Sequence, residues 1–564
     1  TFAQLETIID DSGAVGSNSK FSGVAAQALT EDSGGTISVA NANKLSGATT
    51  GKVTATIATG SLATLNGLSA AAQPANGDAF ALTLNDTSVD AGDLATLDSK
   101  VDQAGGGSIN MNTVVKLTGT LTEAQTFITT KDNFTNNSNV VDIDLSGTIG
   151  DAAAVDTLST DIRALSGGTA EINLTGVTAI SGTFAQLETI IDDSGAVGSN
   201  SKFSGVAAQA LTEDSGGTIS VANANKLSGA TTGKVTATIA TGSLATLNGL
   251  SAAAQPANGD AFALTLNDTS VDAGDLATLD SKVDQAGGGS INMNTVVKLT
   301  GTLAEAQTFI TNKDNFTNNS NVVDVTLDAA AIGDASDLTT LSTDIRALGG
   351  GTAELDLTNI TAITGDFSSL NTIISNSGAV GSNEKFSGIA AQAITANDAT
   401  ITVDNANTLS GATTGKVTAT IATGSLATLN GLSAAAQPAN GDAFALTLND
   451  TSVDAGDLAT LDSKVDQAGG GSINMNTVVK LTGTLTEAQT FITTKDNFTN
   501  NSNVVDIDLS GTIGDAAAVD TLSTDIRALS GGTAEINLTG VTAISGTFAQ
   551  LETIIDDSGA VGSN

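Results

Sequence analysis

Acidic residues recur at alternate positions of this sequence, and that spacing could hold a hard cation. Asp142 and Asp144 flank Ile143 in "VVDIDLSG", so a β-strand would place both carboxylates on one face. The next run of this type, "AEINLTGV", carries Glu171 and Asn173 at the matching positions. Three carboxylates about 5 Å apart on adjacent strands repel one another unless water solvates them or a cation bridges them. Calcium prefers such oxygen ligands, so the pattern predicts a calcium site at these three carboxylates.

A second group of three carboxylates appears later in the chain with its charges rearranged. Asp324, Glu354 and Asp356 form this group, and Thr326 takes the place of Asp144. We expect a second calcium site at these residues. A solvated acidic surface explains both patterns equally well, so the two interpretations stay open. Calcium is the one cofactor that the sequence suggests.

The amino-acid composition removes many of the usual catalytic groups. The 564 residues include no Cys, His, Trp or Tyr. Without His and Cys, the commonest general base, the commonest transition-metal ligand and any disulfide are missing. The 60 acidic residues outnumber the 20 basic ones and give a net charge of −40, which disfavours binding to nucleic acid. We therefore expect no enzymatic activity, no nucleic-acid partner and, since no long apolar run occurs, no transmembrane segment.

Long repeats organise the chain. The stretch "TFAQLETIIDDSGAVGSN" stands at residues 1–18, 183–200 and 547–564, and a variant of it stands at 366–383. These positions predict repeat blocks at 1–182, 183–365 and 366–546, with the start of a fourth at 547–564. Because the sequence starts and stops inside its own repeat, we expect it to be a segment of a longer array.

Each block divides further into units of about 30 residues, a period typical of solenoids. Runs with alternating apolar residues predict strands, namely "VTATIATG", "FALTLNDT", "SINMNTVV", "VVDIDLSG" and "AEINLTGV". Apolar residues spaced by three and four then predict a short helix after each strand. These residues are Leu62 and Leu65; Leu94, Leu97 and Val101; Ala124 and Phe127; Val155, Leu158 and Ile162; and Phe184, Leu187 and Ile191.

One stretch per block departs from this pattern. Between Phe21 and Gly51 the sequence shows strands but no convincing helix, and counting it as a coil gives six coils per block. Pro74, Pro256 and Pro438 are expected to mark the exit turn of a helix. The predicted fold is a repeat solenoid, a parallel β-solenoid with a short helix in most coils and about 30 residues per coil.

Two resemblances bear on this prediction. "AELDLTNITAITGDFSSLNTIISNSG" resembles a leucine-rich repeat but lacks its leading L-x-x-L and its Asn position, so a curved horseshoe is the alternative fold. Units such as "EINLTGVTAISGTFAQLETIIDDSG" and "DIDLSGTIGDAAAVDTLSTDIRALSGG" are similar to the Gly-, Thr- and Asp-rich arrays of very large secreted surface proteins of cyanobacteria and other Gram-negative bacteria. That resemblance implies a non-enzymatic extracellular protein used in surface coating, adhesion or motility.

From these features we expect a structural segment of a giant extracellular protein that forms a rod, filament or cell-surface coat. The alternative is a repetitive adhesin that binds glycan or mineral surfaces through its exposed strand face. The expected location is the secreted, extracellular cell surface. The expected partners are copies of the chain itself, other surface components and polysaccharide.

Overall fold

The computed structural model describes residues 1–69, 77–251, 259–328, 333–433 and 441–559. The three prolines expected at helix exits, Pro74, Pro256 and Pro438, lie outside these residues. The described chain divides into two compact units, Thr1–Leu266 with Thr278–Asn292, and Asn267–Ala277 with Met293–Asn564.

Short α-helices recur throughout the residues that the structure describes. They are Phe2–Asp10, Val39–Ala48, Leu62–Leu65, Ala91–Asp98, Leu121–Thr130, Ala152–Leu165, Phe184–Asp192, Val221–Ala230, Leu244–Leu247, Ala273–Asp280, Leu303–Thr311, Ala335–Leu348, Phe367–Ser375, Val403–Ala412, Leu426–Leu429, Ala455–Asp462, Leu485–Thr494, Ala516–Leu529 and Phe548–Asp556. Among the described residues, six α-helices begin in each of 1–182, 183–365 and 366–546.

Strands of two to twelve residues lie between the helices. In the first unit they are Ser12–Gly13, Phe21–Ser22, Leu29–Thr30, Val53–Thr56, Ala79–Thr83, Ser88–Asp90, Ser108–Asn110, Lys116–Gly119, Phe134–Thr135, Asp142–Ile149, Glu171–Gly182, Ser194–Gly195, Phe203–Ser204, Ala210–Glu213, Val235–Thr238, Ala261–Thr265 and Ser290–Asn292. In the second unit they are Ser270–Asp272, Lys298–Gly301, Phe316–Thr317, Asp324–Leu327, Gly333–Asp334, Glu354–Asp356, Ala362–Gly365, Ser377–Gly378, Phe386–Ser387, Ala393–Ala396, Val417–Thr420, Ala443–Thr447, Ser452–Asp454, Ser472–Asn474, Lys480–Gly483, Phe498–Thr499, Asp506–Ile513 and Glu535–Ile544.

Within each unit, a strand pairs in parallel with the corresponding strand of the next coil. Leu117 lies opposite Ile143, and Ile143 lies opposite Ile172. All three side chains are fully buried, so apolar residues stack on apolar residues from coil to coil. Because side chains alternate along a strand, the residues between them form the polar face. The parallel strands with interleaved helices confirm the predicted β/α-solenoid arrangement.

A polar residue immediately before the helix caps the N-terminus of many of these helices. Thr183 is a typical case, since its hydroxyl accepts the backbone N–H of Gln186 while the Gln186 side chain accepts the backbone N–H of Thr183. This reciprocal capping satisfies donors that a helix start otherwise leaves unpaired. The helices remain short, and no described helix combines the length and the apolar character needed to cross a membrane.

The apolar positions expected to face the core are buried in most helices. Val155, Leu158 and Ile162 are buried as predicted. The prediction for "TFAQLETIID" was wrong at two positions, because Phe184 and Ile191 are only partly covered whereas Ile190 is buried. The buried side chains of this helix are spaced by three residues, which rotates its inner face away from the expected position.

The prediction that residues 21–51 contain no convincing helix was also wrong. This stretch forms the helix Val39–Ala48, where the Ser38 hydroxyl accepts a backbone N–H at the N-terminus. Ala42 and Leu45 are fully buried on its inner face. Its Asn, Ser and Gly residues weaken local helix propensity, so burial against the neighbouring coils stabilises it instead.

Candidate functional site

The strand register brings the residues of the first predicted calcium site together. Asp142 lies opposite Glu171 on the next coil, and Asp144 lies opposite Asn173. On the preceding coil, Lys116 lies opposite Asp142. The three carboxylates thus lie on adjacent strands, and the sequence analysis missed the lysine beside them.

Asp144 binds partners on both neighbouring coils. The Lys116 ammonium donates to Asp144 Oδ2 at 2.9 Å, and the Asn173 amide donates to Asp144 Oδ1 at 3.0 Å. The hydrogen bond to Asp144 raises the pKa of Lys116, so the lysine stays charged. One carboxylate thus joins three successive coils. Because about a third of each side chain in the ion pair is exposed, water screens part of this attraction.

Glu171 points into the junction with the following coil and is only 3% exposed. The backbone N–H of Gly198 donates to Glu171 Oε1 at 2.9 Å and to Oε2 at 3.1 Å, and the Ser204 hydroxyl donates to Oε1 at 2.5 Å. Burial raises the pKa of Asp142; Lys116 opposes this shift, and Glu171 and Asp144 add to it.

The second predicted site has the same strand register, with Thr326 at the position of Asp144 and Asp356 at the position of Asn173. Asp324 lies opposite Glu354, and Thr326 lies opposite Asp356. The Thr326 hydroxyl donates to Asp356 Oδ2 at 3.3 Å. Glu354 is buried and accepts the backbone N–H of Gly381 at 2.9 and 3.1 Å, as Glu171 does from Gly198. Burial raises the pKa of Asp324, and Glu354 adds to the shift.

A third copy of the arrangement was not singled out from the sequence. Lys480 donates to Asp508 Oδ2 at 3.1 Å, and Asn537 donates to Asp508 Oδ1 at 2.9 Å. The lysines of "VVKLTGT" were missed because their partners lie on a neighbouring coil, about 30 residues away in sequence. Within a single strand, nothing in the sequence marks them as ligands of a carboxylate.

Sequence analysis also missed three deeply buried aspartates. Asp78 is fully buried, and its carboxylate accepts the Ser46 hydroxyl at 2.7 Å and the Val53 backbone N–H at 2.8 Å. Asp260 and Asp442 have the corresponding partners in the later blocks. Burial raises the pKa of all three groups, although these hydrogen bonds act in the opposite direction. Each aspartate ties one coil to the coil before it.

Across the ranges that the structure describes, no group of three or more Asp, Glu, His or Cys residues is arranged to hold a metal ion. The calcium sites remain predictions. The chain matches no known protein-family model and no curated protein. In the described residues, the polar side chains of these sites form hydrogen bonds and ion pairs between successive coils.

Proposed function

We propose that this chain is a structural segment of a very large extracellular protein that coats or extends from a cell surface. The observation that carries the proposal is that polar side chains suited to ligand binding are engaged between coils. Lys116, Asp144 and Asn173 connect three coils in this way. Glu171 adds bonds to the Gly198 backbone N–H and to the Ser204 hydroxyl. A protein whose role is to maintain a long continuous array needs this kind of junction at every coil.

Repetition of these junctions supports the same proposal. The buried aspartate bonds recur in all three blocks, at Asp78, Asp260 and Asp442. Each stacked repeat adds an interface of the same kind, so stability grows with the number of repeats. A protein with a single catalytic or binding centre needs only one such cluster of buried bonds, whereas in a structural array every copy contributes to stability.

Composition and resemblance favour an extracellular setting. A chain without Cys has no thiol or disulfide for its surroundings to oxidise or reduce, and a net charge of −40 favours the solubility of a long repeat array. The similarity to the Gly-, Thr- and Asp-rich arrays of secreted bacterial surface proteins agrees with this location. The partners that follow from the proposal are other copies of the chain, other surface components and surface polysaccharide.

Antibodies raised against the purified chain test the proposal on cells of the source organism. The proposal predicts equal labelling of intact and permeabilised cells. Labelling only after permeabilisation would contradict it. A glycan array and a mineral pull-down with the same purified chain separate the structural role from the adhesin, because the structural role predicts no selective binding and the adhesin predicts binding to a defined glycan or mineral.

A further inference from the structure

A lysine, a carboxylate and a carboxamide meet on three successive coils, and together they can form an amide bond. The Lys116 ammonium donates to Asp144 Oδ2 at 2.9 Å, and Asn173 Nδ2 donates to Asp144 Oδ1 at 3.0 Å. The amine and the carboxamide are thus held at the two oxygens of one carboxylate. A neutral lysine amine is a nucleophile, and a carboxylate beside it can accept the proton that the ammonium must lose.

The carboxamide of Asn173 is held in one orientation with its oxygen polarised. The backbone N–H and the hydroxyl of Thr175 both donate to Asn173 Oδ1, at 3.0 and 2.6 Å. Because a backbone N–H can only donate, this contact identifies the oxygen of the carboxamide and directs its nitrogen to Asp144. Donors fixed at an amide oxygen stabilise the negative charge that develops there when a nucleophile attacks the carbon.

The following coil covers this pair of donors at close range. Gly205 has a φ of +78°, which glycine adopts without strain. A Cβ atom on Gly205 would lie 2.5 Å from the Thr175 nitrogen and hydroxyl and 3.0 Å from Asn173 Oδ1. The oxygen side of the carboxamide is therefore enclosed, whereas about a third of the Lys116 and Asp144 side chains is exposed and leaves a path for a small product.

We propose that Lys116 and Asn173 become joined by a self-formed amide bond. Asp144 takes one proton from the ammonium, and the neutral Nζ attacks Cγ of Asn173, which places a negative charge on Oδ1 beside Thr175. Asp144 then protonates Nδ2, the Cγ–Nδ2 bond breaks and the Nζ–Cγ amide remains. The two protons that the lysine loses leave with Nδ2 as ammonium, so Asp144 ends as a carboxylate and no oxidant is needed.

The ammonium is the resting form of this lysine, because its hydrogen bond to Asp144 raises the pKa of Lys116. Transfer of the proton to Asp144 is therefore unfavourable, which makes the reaction slow. One event per site is sufficient, since the released ammonia diffuses away and the bond persists. The flexible four-carbon stem of the lysine lets Nζ move from the carboxylate to the carboxamide carbon. The reaction is a single self-modification without turnover of a substrate.

The bond joins the strand Lys116–Gly119 to the strand Glu171–Gly182 across the strand between them. A covalent cross-link stabilises a protein mainly by restricting its unfolded chain. Disulfides have this role in many extracellular proteins, and the present sequence contains no Cys. An amide cross-link supplies the same restraint and is not broken by reductants. The inference rests on the geometry of these groups and not on the proposed function.

The third block contains the same set of groups. Lys480 and Asn537 bind the two oxygens of Asp508 at 3.1 and 2.9 Å. The backbone N–H and the hydroxyl of Thr539 donate to Asn537 Oδ1 at 2.9 and 2.6 Å. We therefore expect a second amide bond between Lys480 and Asn537.

The second block provides a natural control. Lys298 is kept there, but Thr326 stands at the position of the carboxylate and Asp356 at the position of the carboxamide, so no bond is expected. The backbone N–H and the hydroxyl of Thr358 donate to Asp356 Oδ1 at 3.0 and 2.5 Å, so the oxygen-binding donors are already in place. Thr326→Asp with Asp356→Asn supplies the two missing groups and should create a third bond.

Intact-mass measurement of the whole chain under denaturing conditions tests the proposal. We expect the unaltered chain to be lighter than its sequence mass by two ammonia molecules. Lys116→Arg with Lys480→Arg keeps both positive charges and removes the nucleophiles, so this variant should show its full sequence mass. Thr326→Asp with Asp356→Asn should lose three ammonia molecules. An unaltered chain at full mass, or a loss that persists in the arginine variant, would overturn the proposal.

Cyclisation at asparagine–glycine pairs such as Asn66 and Gly67 also releases ammonia, so the bond must be located. Mild alkali opens the cyclic imides that result and leaves the amide cross-link intact. Tryptic digestion after this treatment should yield a branched peptide that joins Lys116 to Asn173 and is uncut after Lys116. Asp144→Asn should yield two separate peptides, because the proton acceptor is gone. Separate peptides from the unaltered chain, or a branched peptide from Asp144→Asn, would contradict the proposed reaction.

Discussion

Asn173 donates an amide hydrogen to Asp144 across the junction between two coils, with Nδ2 and Oδ1 3.0 Å apart. In the second block, Thr326 stands at the position of Asp144 and Asp356 at the position of Asn173, so the donor and the acceptor change places. There the Thr326 hydroxyl donates to Asp356 Oδ2 at 3.3 Å. One carboxylate and one donor are present in each case, so we expect the two positions to be energetically coupled.

Thr326→Asp tests this coupling in the second block. The single variant places a carboxylate opposite Asp356, and like charges directly opposite on adjacent strands repel. We expect a loss of stability in urea unfolding, and addition of Asp356→Asn should recover most of it by restoring the arrangement of the first block. A coupling energy of about 1 kcal/mol is expected for residues in direct contact.

The mirrored substitutions in the first block provide the control. Asn173→Asp alone should be destabilising because it faces Asp144, and Asp144→Thr added to it should reduce the loss. If the losses in unfolding free energy of the two single variants add up to the loss of the double variant in both blocks, the two positions are independent. The predicted coupling is then wrong.

The buried aspartates predict a specific dependence of stability on pH. Because burial raises the pKa of Asp78, Asp260 and Asp442, the folded chain holds these protons more tightly than the unfolded chain does. Their stabilising contribution is therefore fully present below the unfolded pKa and is lost as the pH rises through the folded pKa. We expect Asp78→Asn, Asp260→Asn and Asp442→Asn together to flatten the fall in unfolding free energy between acidic and neutral pH.

A charge-matched triple variant separates this effect from the change in net charge. Asp132, Asp314 and Asp496 occupy equivalent exposed positions in the three blocks. Their replacement by Asn removes the same three charges without touching a buried group. The pH slope of this control should follow that of the unaltered chain. Identical slopes in the two triple variants would show that burial of the three aspartates is not the cause.

The sequence predicted the parts of the fold that depend on local periodicity. Alternation around Ile143 identified its strand, and the matching run around Ile172 established which residues face each other. The helix Val39–Ala48 was missed because its stability comes from burial of Leu45 among other coils rather than from its own residues. Asp78 was missed for a similar reason, since its serine partner is 32 residues away.

Calcium binding at the strand carboxylates remains open to a direct test. A cation bound only to the folded chain raises its stability by mass action. If calcium binds Asp142, Asp144 and Glu171, millimolar calcium should raise the melting temperature more than sodium at matched ionic strength. Asp142→Asn with Asp144→Asn should reduce the excess, and Lys116→Gln should enlarge it because the ammonium competes for Asp144. Equal melting curves in the two salts would reject the site.

The central claim is that neighbouring coils, rather than local sequence, determine whether a coil is buried. Ile8 and Ile190 occupy the same position of identical sequences, yet Ile8 is 37% exposed and Ile190 is 1% exposed. Because the chain contains no Cys, Ile8→Cys and Ile190→Cys each introduce a single thiol whose alkylation rate can be measured under native conditions. The account predicts fast alkylation at position 8, slow alkylation at position 190 and equal rates after unfolding in urea. Equal rates in the native chain would contradict it.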